Sequence, residues 1–356
     1  MADPRTDRLA AILVGYSLKV KEGETVLISC TEAGKPLGLV VFEEVLRNGG
    51  HPLLEVGFEE ADAILLNQGS MEQVRHLSPV RLYQAQHIDC YVNIRAPLNR
   101  KLLSGVPAER VSARQAALKP WKDIVIDEKR WVLTNFPTNA LAQEAEMSLA
   151  EYEDFFYRAT NIDWEAVDRE EERLKLLLES SRSVRILGRE TDLRFSIEGR
   201  KAAKCSGQSN MPDGEVFTAP VEDSTEGTIY YEFPAIYNAR EVTGVRLTFK
   251  GGRVVDASAE KNADFLHSML DMDAGSRRIG EFGVGFNYAI ERFTKDTLFD
   301  EKIGGTIHLA LGKGYPETGS LNDSALHWDM IKDLRQGGEI HLDSTPIQKD
   351  GRFLWP

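Results

Sequence analysis

Residues 24–56, ETVLISCTEAGKPLGLVVFEEVLRNGGHPLLEV, contain the pattern that determines the fold prediction for the first half of the chain. The apolar run 24–30 (ETVLISC) is typical of a buried strand, and 51–56 (HPLLEV) predicts the next strand. Between them, residues 37–47 have helical spacing and end at Asn48-Gly49-Gly50, since glycine commonly follows the last turn of a helix. A strand, a helix and a strand in this order predict a parallel βαβ unit.

The same alternation continues to residue 134 and then gives way to a different pattern. A helix is predicted over 6–18, further helices over 72–77, 80–86 and 108–118, and strands over 88–94 and 130–134. After about residue 180 the pattern consists of short β segments (183–187, 192–197, 227–233, 244–249 and 253–258) with one helix over 260–271. We therefore predict an α/β protein, with an N-terminal parallel α/β domain over 1–180 and a C-terminal α+β domain over 181–356. A charged helix over 163–181 would connect them.

Composition limits the classes of function. At 356 residues, two domains are the default expectation. The net charge of −13 argues against nucleic acid as the main partner, because phosphate contacts need clustered Lys and Arg. The three cysteines form no CxxC motif, which favours a reducing compartment. The sequence shows neither a signal-peptide pattern nor an apolar run long enough to span a membrane, so we expect a cytoplasmic protein without a membrane partner.

Candidate metal ligands are concentrated in the second half, whereas the HExxH, GxSxG and phosphate-loop signatures are absent from the sequence. His308 lies in the strand-like run 306–311, and His327 and Asp329 are two residues apart, so on a strand they share one face. Glu215 lies in MPDGEVF, and Glu281 lies in RRIGEFGVGFN, whose glycines permit close backbone approach. Carboxylates mixed with imidazoles suit Zn²⁺, Co²⁺ or Mn²⁺.

Each of these residues also has a purely structural interpretation. A strand histidine such as His308 is more often a hydrogen-bonded structural residue than a ligand. Glu281 lies near two arginines and can form a solvated ion pair, and Glu215 can be an ordinary turn residue. A second His-x-Asp pair, His341 and Asp343, has the same spacing as the first. The residues by themselves therefore leave both the metal site and its ligand set open.

Several sequence blocks, however, resemble the aminopeptidase T and aminopeptidase S family, family twenty-nine of the metallopeptidases. In the second half these blocks are NMPDGEVFTAPVEDSTEGT (210–228), GEFGVGFN (280–287), GTIHLALGKGY (305–315) and SALHWDM (324–330). In the first half they are GYSLKVKEGETVLI (15–28) and NFPTNALAQEAEMSLAEYEDFFYRA (135–159). The resemblance covers nearly the whole chain in order, which makes it more specific than any single motif.

The resemblance implies a site that binds two divalent metal ions, Zn²⁺, Co²⁺ or Mn²⁺. The implied metal ligands are Glu215, Glu281, His308, His327 and Asp329. Tyr315 would be the active-site tyrosine, as a donor to the oxyanion or as a metal contact, and Glu281 is also a candidate general base. The segment from Tyr315 to His327 is shorter than in better-known members, which affects the expected shape of the pocket. His341 and Asp343 then fall on a structural strand.

The resemblance also implies an activity and an assembly. We expect a metal-dependent aminopeptidase acting on short peptides, and a homodimer whose N-terminal domain helps to enclose the active-site cavity. One alternative on the same scaffold is a ring-cleaving dioxygenase that holds a single iron with two histidines and an aspartate. In those relatives both glutamates are replaced and a histidine appears near the position of Arg278 or Glu281, so the presence of Glu215, Glu281 and Arg278 favours the hydrolase. A non-catalytic α/β binding protein with a decayed site is a third interpretation, disfavoured by the intact ligand set.

Overall fold

The computed structural model of the protein describes residues 3–238 and 240–355. The helices are α1 (Pro4–Ala11), α2 (Lys35–Arg47), α3 (Glu59–Gln68), α4 (Met71–Arg75), α5 (Pro79–His87), α6 (Ala108–Glu128), α7 (Asn139–Glu144), α8 (Leu149–Thr160), α9 (Trp164–Ser180), α10 (Ala263–Leu270) and α11 (Thr297–Asp300). The strands are β1 (Thr25–Thr31), β2 (His51–Gly57), β3 (Cys90–Arg95), β4 (Arg130–Asn135), β5 (Ser183–Gly188), β6 (Thr191–Ser196), β7 (Ala203–Cys205), β8 (Asn210–Met211), β9 (Glu215–Thr218), β10 (Glu226–Tyr230), β11 (Ala235–Tyr237), β12 (Arg240–Val242), β13 (Arg246–Lys250), β14 (Arg253–Ser258), β15 (Ile279–Gly285), β16 (Thr306–Gly312), β17 (His327–Asp333), β18 (Glu339–Leu342), β19 (Thr345–Lys349) and β20 (Arg352–Phe353). Within these described ranges no helix combines the length and the apolar character needed to cross a membrane.

The first of two compact units comprises residues 1–162 and 207–212. Its five strands pair in parallel throughout, in the order β2-β1-β3-β4-β8. The βαβ unit predicted from residues 24–56 is present, because β1 and β2 pair in parallel with Thr25 opposite His51 and α2 lies between them in the chain. The predicted parallel α/β sheet is therefore confirmed, and β8 is a strand that the sequence pattern did not indicate.

The apolar spacing of the sequence explains why these elements pack together. On β1, Val26 and Ile28 on one face and Leu27 on the other are at most 1% exposed, as expected for a strand covered on both faces. On α2, Leu37, Val41 and Val45 recur every four residues, so they form one buried stripe along the helix. The sheet and the helices thus share an apolar interior without any special motif.

The second unit comprises residues 163–206 and 213–356 and is built from antiparallel sheets. One sheet has eight strands in the order β14-β13-β10-β6-β5-β18-β19-β20, and another has five in the order β17-β16-β15-β9-β7. Side chains from both sheets enter one buried core, where Phe195 on β6 and Phe282 on β15 make an edge contact with ring centroids 5.2 Å apart. The two sheets therefore pack through their apolar faces.

Helix α9 belongs to this second unit, although the sequence placed the domain division after it, near residue 180. Leu174 and Leu178 on α9 are buried in the same core as Val184 and Leu193 of β5 and β6. Because α9 contains many charged residues, its sequence resembles a linker and does not reveal this apolar stripe. The first compact unit accordingly ends at Ile162 and regains residues 207–212 through the pairing of β8 with β4.

Replacing Leu174 by Ala should therefore destabilise the second unit by about 2–5 kcal/mol, because the truncation leaves a cavity in its core. The change is measured by denaturant unfolding together with hydrogen exchange of the β5 and β6 amides. Leu176→Ala is the matched control on the same helix, since its side chain is 57% exposed. Equal effects of the two variants, or a loss of protection confined to β1 and β3, would contradict the assignment of α9.

Candidate metal centre

Three neighbouring strands of the five-stranded sheet bring predicted ligands onto one face. Residues directly opposite each other in an antiparallel pair project to the same side of the sheet. Glu281 on β15 lies opposite Ala310 on β16, and Ala310 lies opposite Asp329 on β17. His308, two residues before Ala310, lies opposite Gly283 and therefore projects to that same face. Residues that are distant in sequence thus become neighbours through strand register.

The two other predicted ligands reach this face from the ends of their strands. Glu215 begins β9 and lies opposite Gly285, two residues along from Gly283. His327 begins β17 and lies opposite Gly312. All five predicted ligands are consequently placed on one side of a single sheet.

The other face of the same strands anchors the sheet in the core. Phe282, Leu309 and Trp328 alternate with the predicted ligands and are almost completely buried. This alternation of apolar and polar side chains along each strand fixes the register, because a slip by one residue would exchange the two faces. Burial of these three large side chains therefore also determines where the polar groups lie.

Glu281 lies at the centre of the cluster, with its two oxygens directed at different histidines. Its Oε1 atom is 3.3 Å from His308 Nε2, and its Oε2 atom is 3.5 Å from His327 Nε2. Each imidazole also faces a second carboxylate: Glu215 Oε2 is 3.6 Å from His308 Nε2, and Asp329 Oδ2 is 3.4 Å from His327 Nε2. The side chains therefore form two groups of three that share Glu281.

The hydrogen-bonding state of these atoms fits a cation site. Among the described residues, Glu215 Oε2 and Asp329 Oδ1 are buried and have no hydrogen-bond partner. Buried polar atoms normally have partners, so these atoms call for a ligand. One ligand atom from each of Glu281, His327 and Asp329 lies within 4.8 Å of the others. Carboxylate and imidazole donors at such separations suit divalent cations.

Neighbouring groups fix the orientation of His327. Its Nδ1 atom lies 2.8 Å from the carbonyl oxygen of Lys313, which can only accept, so Nδ1 carries a proton and Nε2 is the ring nitrogen that faces the carboxylates. The segment before His327 is held by Asp273, which accepts hydrogen bonds from Ser324 Oγ at 2.8 Å and from the Ala325 amide at 2.7 Å. This imidazole is therefore oriented in advance for binding a cation.

Tyr315 lies at the rim of the cluster. Its ring centroid is 5.4 Å from that of His327 and 5.3 Å from that of Phe217, and 40% of the residue is exposed. Burial, followed by the negative charges of Glu281 and Asp329, raises the pKa of Tyr315 above its usual value. The phenol consequently keeps its proton at neutral pH and is available as a hydrogen-bond donor.

Two charged residues at this site, Glu301 and Lys302, were not predicted from the sequence. They lie between α11 and β16, and the Lys302 ammonium is 2.5 Å from Glu215 Oε1 and 3.0 Å from Glu301 Oε2. Residues 300–302 read Asp-Glu-Lys, a composition typical of an exposed turn, yet Lys302 is only 2% exposed. One sequence signal of their role was available, namely their position just before the strand that carries His308.

Comparison with known proteins gives the family. The model of the thermophilic metalloprotease family M29 matches residues 2–353, so the chain belongs to this family of metallopeptidases. Aminopeptidase 2 of Geobacillus stearothermophilus is 27% identical over 97% of this chain and 94% of its own length. The resemblance stated from the sequence blocks is thereby confirmed, and so is its implication of a metal-dependent peptidase family.

Solved structures show the same fold. Wild-type AmpT from Thermus thermophilus superposes with a TM-score of 0.87 at 23% identity, covering 99% of both chains. A 2,5-dihydroxypyridine dioxygenase from Pseudomonas putida KT2440 superposes with a TM-score of 0.64 at 15% identity, covering 99% of this chain and 97% of its own. At these identities the likeness concerns architecture, and the chemistry has to be argued from the side chains of this chain.

The charges around the two histidines predict how the metal-free site titrates. Burial by itself would lower the pKa of His308, but the hydrogen bond to Glu281 and the charges of Glu215 and Glu281 outweigh it and raise the pKa to about 9. For His327, the hydrogen bond and the charge of Asp329 likewise overcome burial and raise the pKa to about 10. Both imidazoles are therefore protonated at pH 7.5 in metal-free protein.

Because each imidazole must lose its proton to bind a cation, binding should release protons at pH 7.5, and cation affinity should rise as the pH approaches 9–10. NMR titration of the metal-free protein measures the two pKa values directly. Calorimetry in buffers of different ionisation enthalpy measures the released protons. Imidazoles that are already neutral at pH 7.5 would contradict this description.

Gly283 provides a steric test of the site. A Cβ atom at this position would overlap with the imidazole of His308 on the adjacent strand. Gly283→Ala should therefore displace that ring and weaken cation binding by about 10–100-fold, the range typical when the support of a ligand is lost. Titration of metal-free protein with Zn²⁺ measures the loss. Gly15→Ala is the control, because a Cβ atom there meets nothing within 4 Å; unchanged affinity in Gly283→Ala would contradict the assigned role of His308.

Proposed function

We propose that this protein is a two-metal aminopeptidase that removes N-terminal residues from short peptides. The proposal is carried by the position of the Glu281 carboxylate. Its two oxygens face two separate groups, each made of one imidazole and one further carboxylate. Membership of metallopeptidase family M29 supports a metal-dependent hydrolase, and the names of the curated relatives support an aminopeptidase. The carboxylate and imidazole donors favour a class of cations, Zn²⁺, Co²⁺ or Mn²⁺, without selecting one of them.

The two groups define where the cations would be held. One would lie among Glu215, Glu281 and His308, and the other among Glu281, His327 and Asp329. Bound there, two divalent ions would polarise the scissile carbonyl and lower the pKa of the attacking water. Glu281 would contribute an oxygen to each group, which favours a bridging role for it over the general-base role expected from the resemblance.

The proposed centre also accounts for a requirement for a free N-terminus. One cation would polarise the scissile carbonyl, and the other would hold the neutral α-amine of the substrate next to the reacting bond. Tyr315 keeps its phenolic proton and can donate it in a hydrogen bond to the developing oxyanion. Donors in this role are commonly worth about 3–4 kcal/mol of transition-state stabilisation. Peptides with an acetylated N-terminus should accordingly be poor substrates.

Two further properties carry over from the resemblance as proposals. The protein would act as a homodimer, which light scattering of the purified chain tests directly. It would work in the cytoplasm on peptides small enough to enter an enclosed cavity, so its rate should fall steeply as peptide length increases.

The dioxygenase alternative has less support from the site. A single-iron site of that type would use two histidines and an aspartate without the glutamates, yet Glu215 and Glu281 both lie within the cluster. Arg278, near the place where such relatives carry a histidine, donates a hydrogen bond to the carbonyl oxygen of Glu222. Iron content and oxygen uptake with a dihydroxypyridine distinguish the two functions.

Replacing Glu215 or His327 by Ala should abolish the hydrolysis of aminoacyl-nitroanilides, because each change removes a proposed ligand from one of the two groups. The loss should exceed about 100-fold, and it is measured with each cation present in excess. His341→Ala is the matched control, since His341 belongs to the second His-x-Asp pair and bonds Glu339 on β18. Full activity in the Glu215 or His327 variants, or equal loss in the control, would contradict the proposed site.

A further inference from the structure

Next to Glu215 lies a buried cluster of acidic side chains that includes a positively charged one, Lys302. Ligand-type atoms of Cys205, Asp213 and Glu215 lie within 4.8 Å of one another. The ammonium of Lys302 reaches this group, with Nζ 2.5 Å from Glu215 Oε1 and 3.0 Å from Glu301 Oε2. Because Lys302 is buried, its charge is not screened by water, and its attraction to the carboxylates is strong.

The Lys302 ammonium gives the two oxygens of the Glu215 carboxylate different partners. Oε1 accepts the hydrogen bond from Lys302. Oε2 has no hydrogen-bond partner among the described residues and lies 3.6 Å from His308 Nε2. The side chain is therefore held in one rotamer, with a single oxygen left to face the proposed cation next to His308.

We propose that Lys302 is a positioning residue, which turns Glu215 so that Oε2 alone faces the metal centre. Its ammonium also supplies a fixed positive charge to the carboxylates of Glu215 and Glu301. This inference rests on the proposed function, because it assigns Lys302 a role toward a cation held by Glu215. It predicts a specific loss of cation affinity rather than a general loss of stability.

A purely electrostatic role for Lys302 predicts the opposite change in cation affinity, so measuring this affinity distinguishes the two roles. If Lys302 acted only as a nearby positive charge, its removal would leave a more negative site and would tighten cation binding. If Lys302 acts by orienting Glu215, its removal lets the carboxylate turn away from His308. Loss of such outer-shell support typically weakens metal affinity by about 10–100-fold.

The test is calorimetric titration of metal-free protein with Zn²⁺, which needs no catalytic activity. In Lys302→Met, which keeps the length of the side chain but not its charge, we expect one of the two ions to bind about 10–100-fold more weakly and the other to bind unchanged. Lys302→Arg keeps the charge with altered geometry, and its affinity should lie between those of the wild type and Lys302→Met. Unchanged or tighter binding in Lys302→Met, or weaker binding in Lys302→Arg than in Lys302→Met, would overturn the proposal.

Lys332→Met is the matched control. Lys332 is another fully buried lysine on β17, bonded to Glu232 at 2.6 Å, and it projects from the strand face opposite to that of His327 and Asp329. Its loss should lower the unfolding midpoint without changing the affinity for either ion. Equal weakening of cation binding in both lysine variants would show a general structural effect and overturn the proposal.

A double-mutant cycle separates this inference from the proposed function. In a Glu215→Ala background, Lys302→Met should cause no further loss of cation affinity, because the oriented group is already absent. An additional loss of full size would overturn the positioning role. Wild-type protein that takes up one ion would contradict the two-metal function. In that case, Lys302→Met should still weaken the binding of this single ion when Glu215 is present and leave it unchanged in the Glu215→Ala background. If Lys302→Met caused no such Glu215-dependent weakening, the positioning role of Lys302 would be overturned.

Discussion

The organisation of this protein depends on one electrostatic constraint, the burial of several carboxylates against two imidazoles on a single sheet face. Glu215 and Glu281 are almost fully buried, and Asp329 is largely enclosed beside them. Buried charges are costly unless they are paired. Without metal, the ammonium of Lys302 and the two protonated imidazoles provide the compensating positive charge. Divalent cations bound among the carboxylates would take over this role once the imidazoles lose their protons.

The antiparallel sheet makes this arrangement geometrically secure. Each of β15, β16 and β17 presents large apolar side chains to the core and polar side chains to the site, so hydrophobic burial fixes the positions of the proposed ligands. Gly283 leaves the space that the imidazole of His308 occupies, and Asp273 holds the segment that leads to His327. The proposed ligands thus lie on strands of one sheet, and their orientation is supported by neighbouring groups.

The sequence predicted the fold well where local patterns carry the information. The strand–helix–strand pattern of residues 24–56 predicted the parallel sheet, and the β segments predicted over 244–249 and 253–258 correspond to the paired strands β13 and β14. The short pairing of β8 with β4 has no local signature, because it depends on a segment that returns to the first unit from residues 207–212. Helix α9 packs in the core of the second compact unit through buried leucines, which its more numerous charged residues obscure in the sequence.

The site was predicted by family resemblance rather than by spacing, since His341 and Asp343 match the His327 and Asp329 pattern equally well. Lys302 escaped prediction because burial of a lysine depends on distant carboxylates. The central claim is tested most directly by a crystal structure of Zn²⁺-loaded protein with anomalous difference maps. The account predicts two peaks about 3.5–4 Å apart, on either side of the Glu281 carboxylate. A single peak, or peaks away from the five proposed ligands, would contradict it.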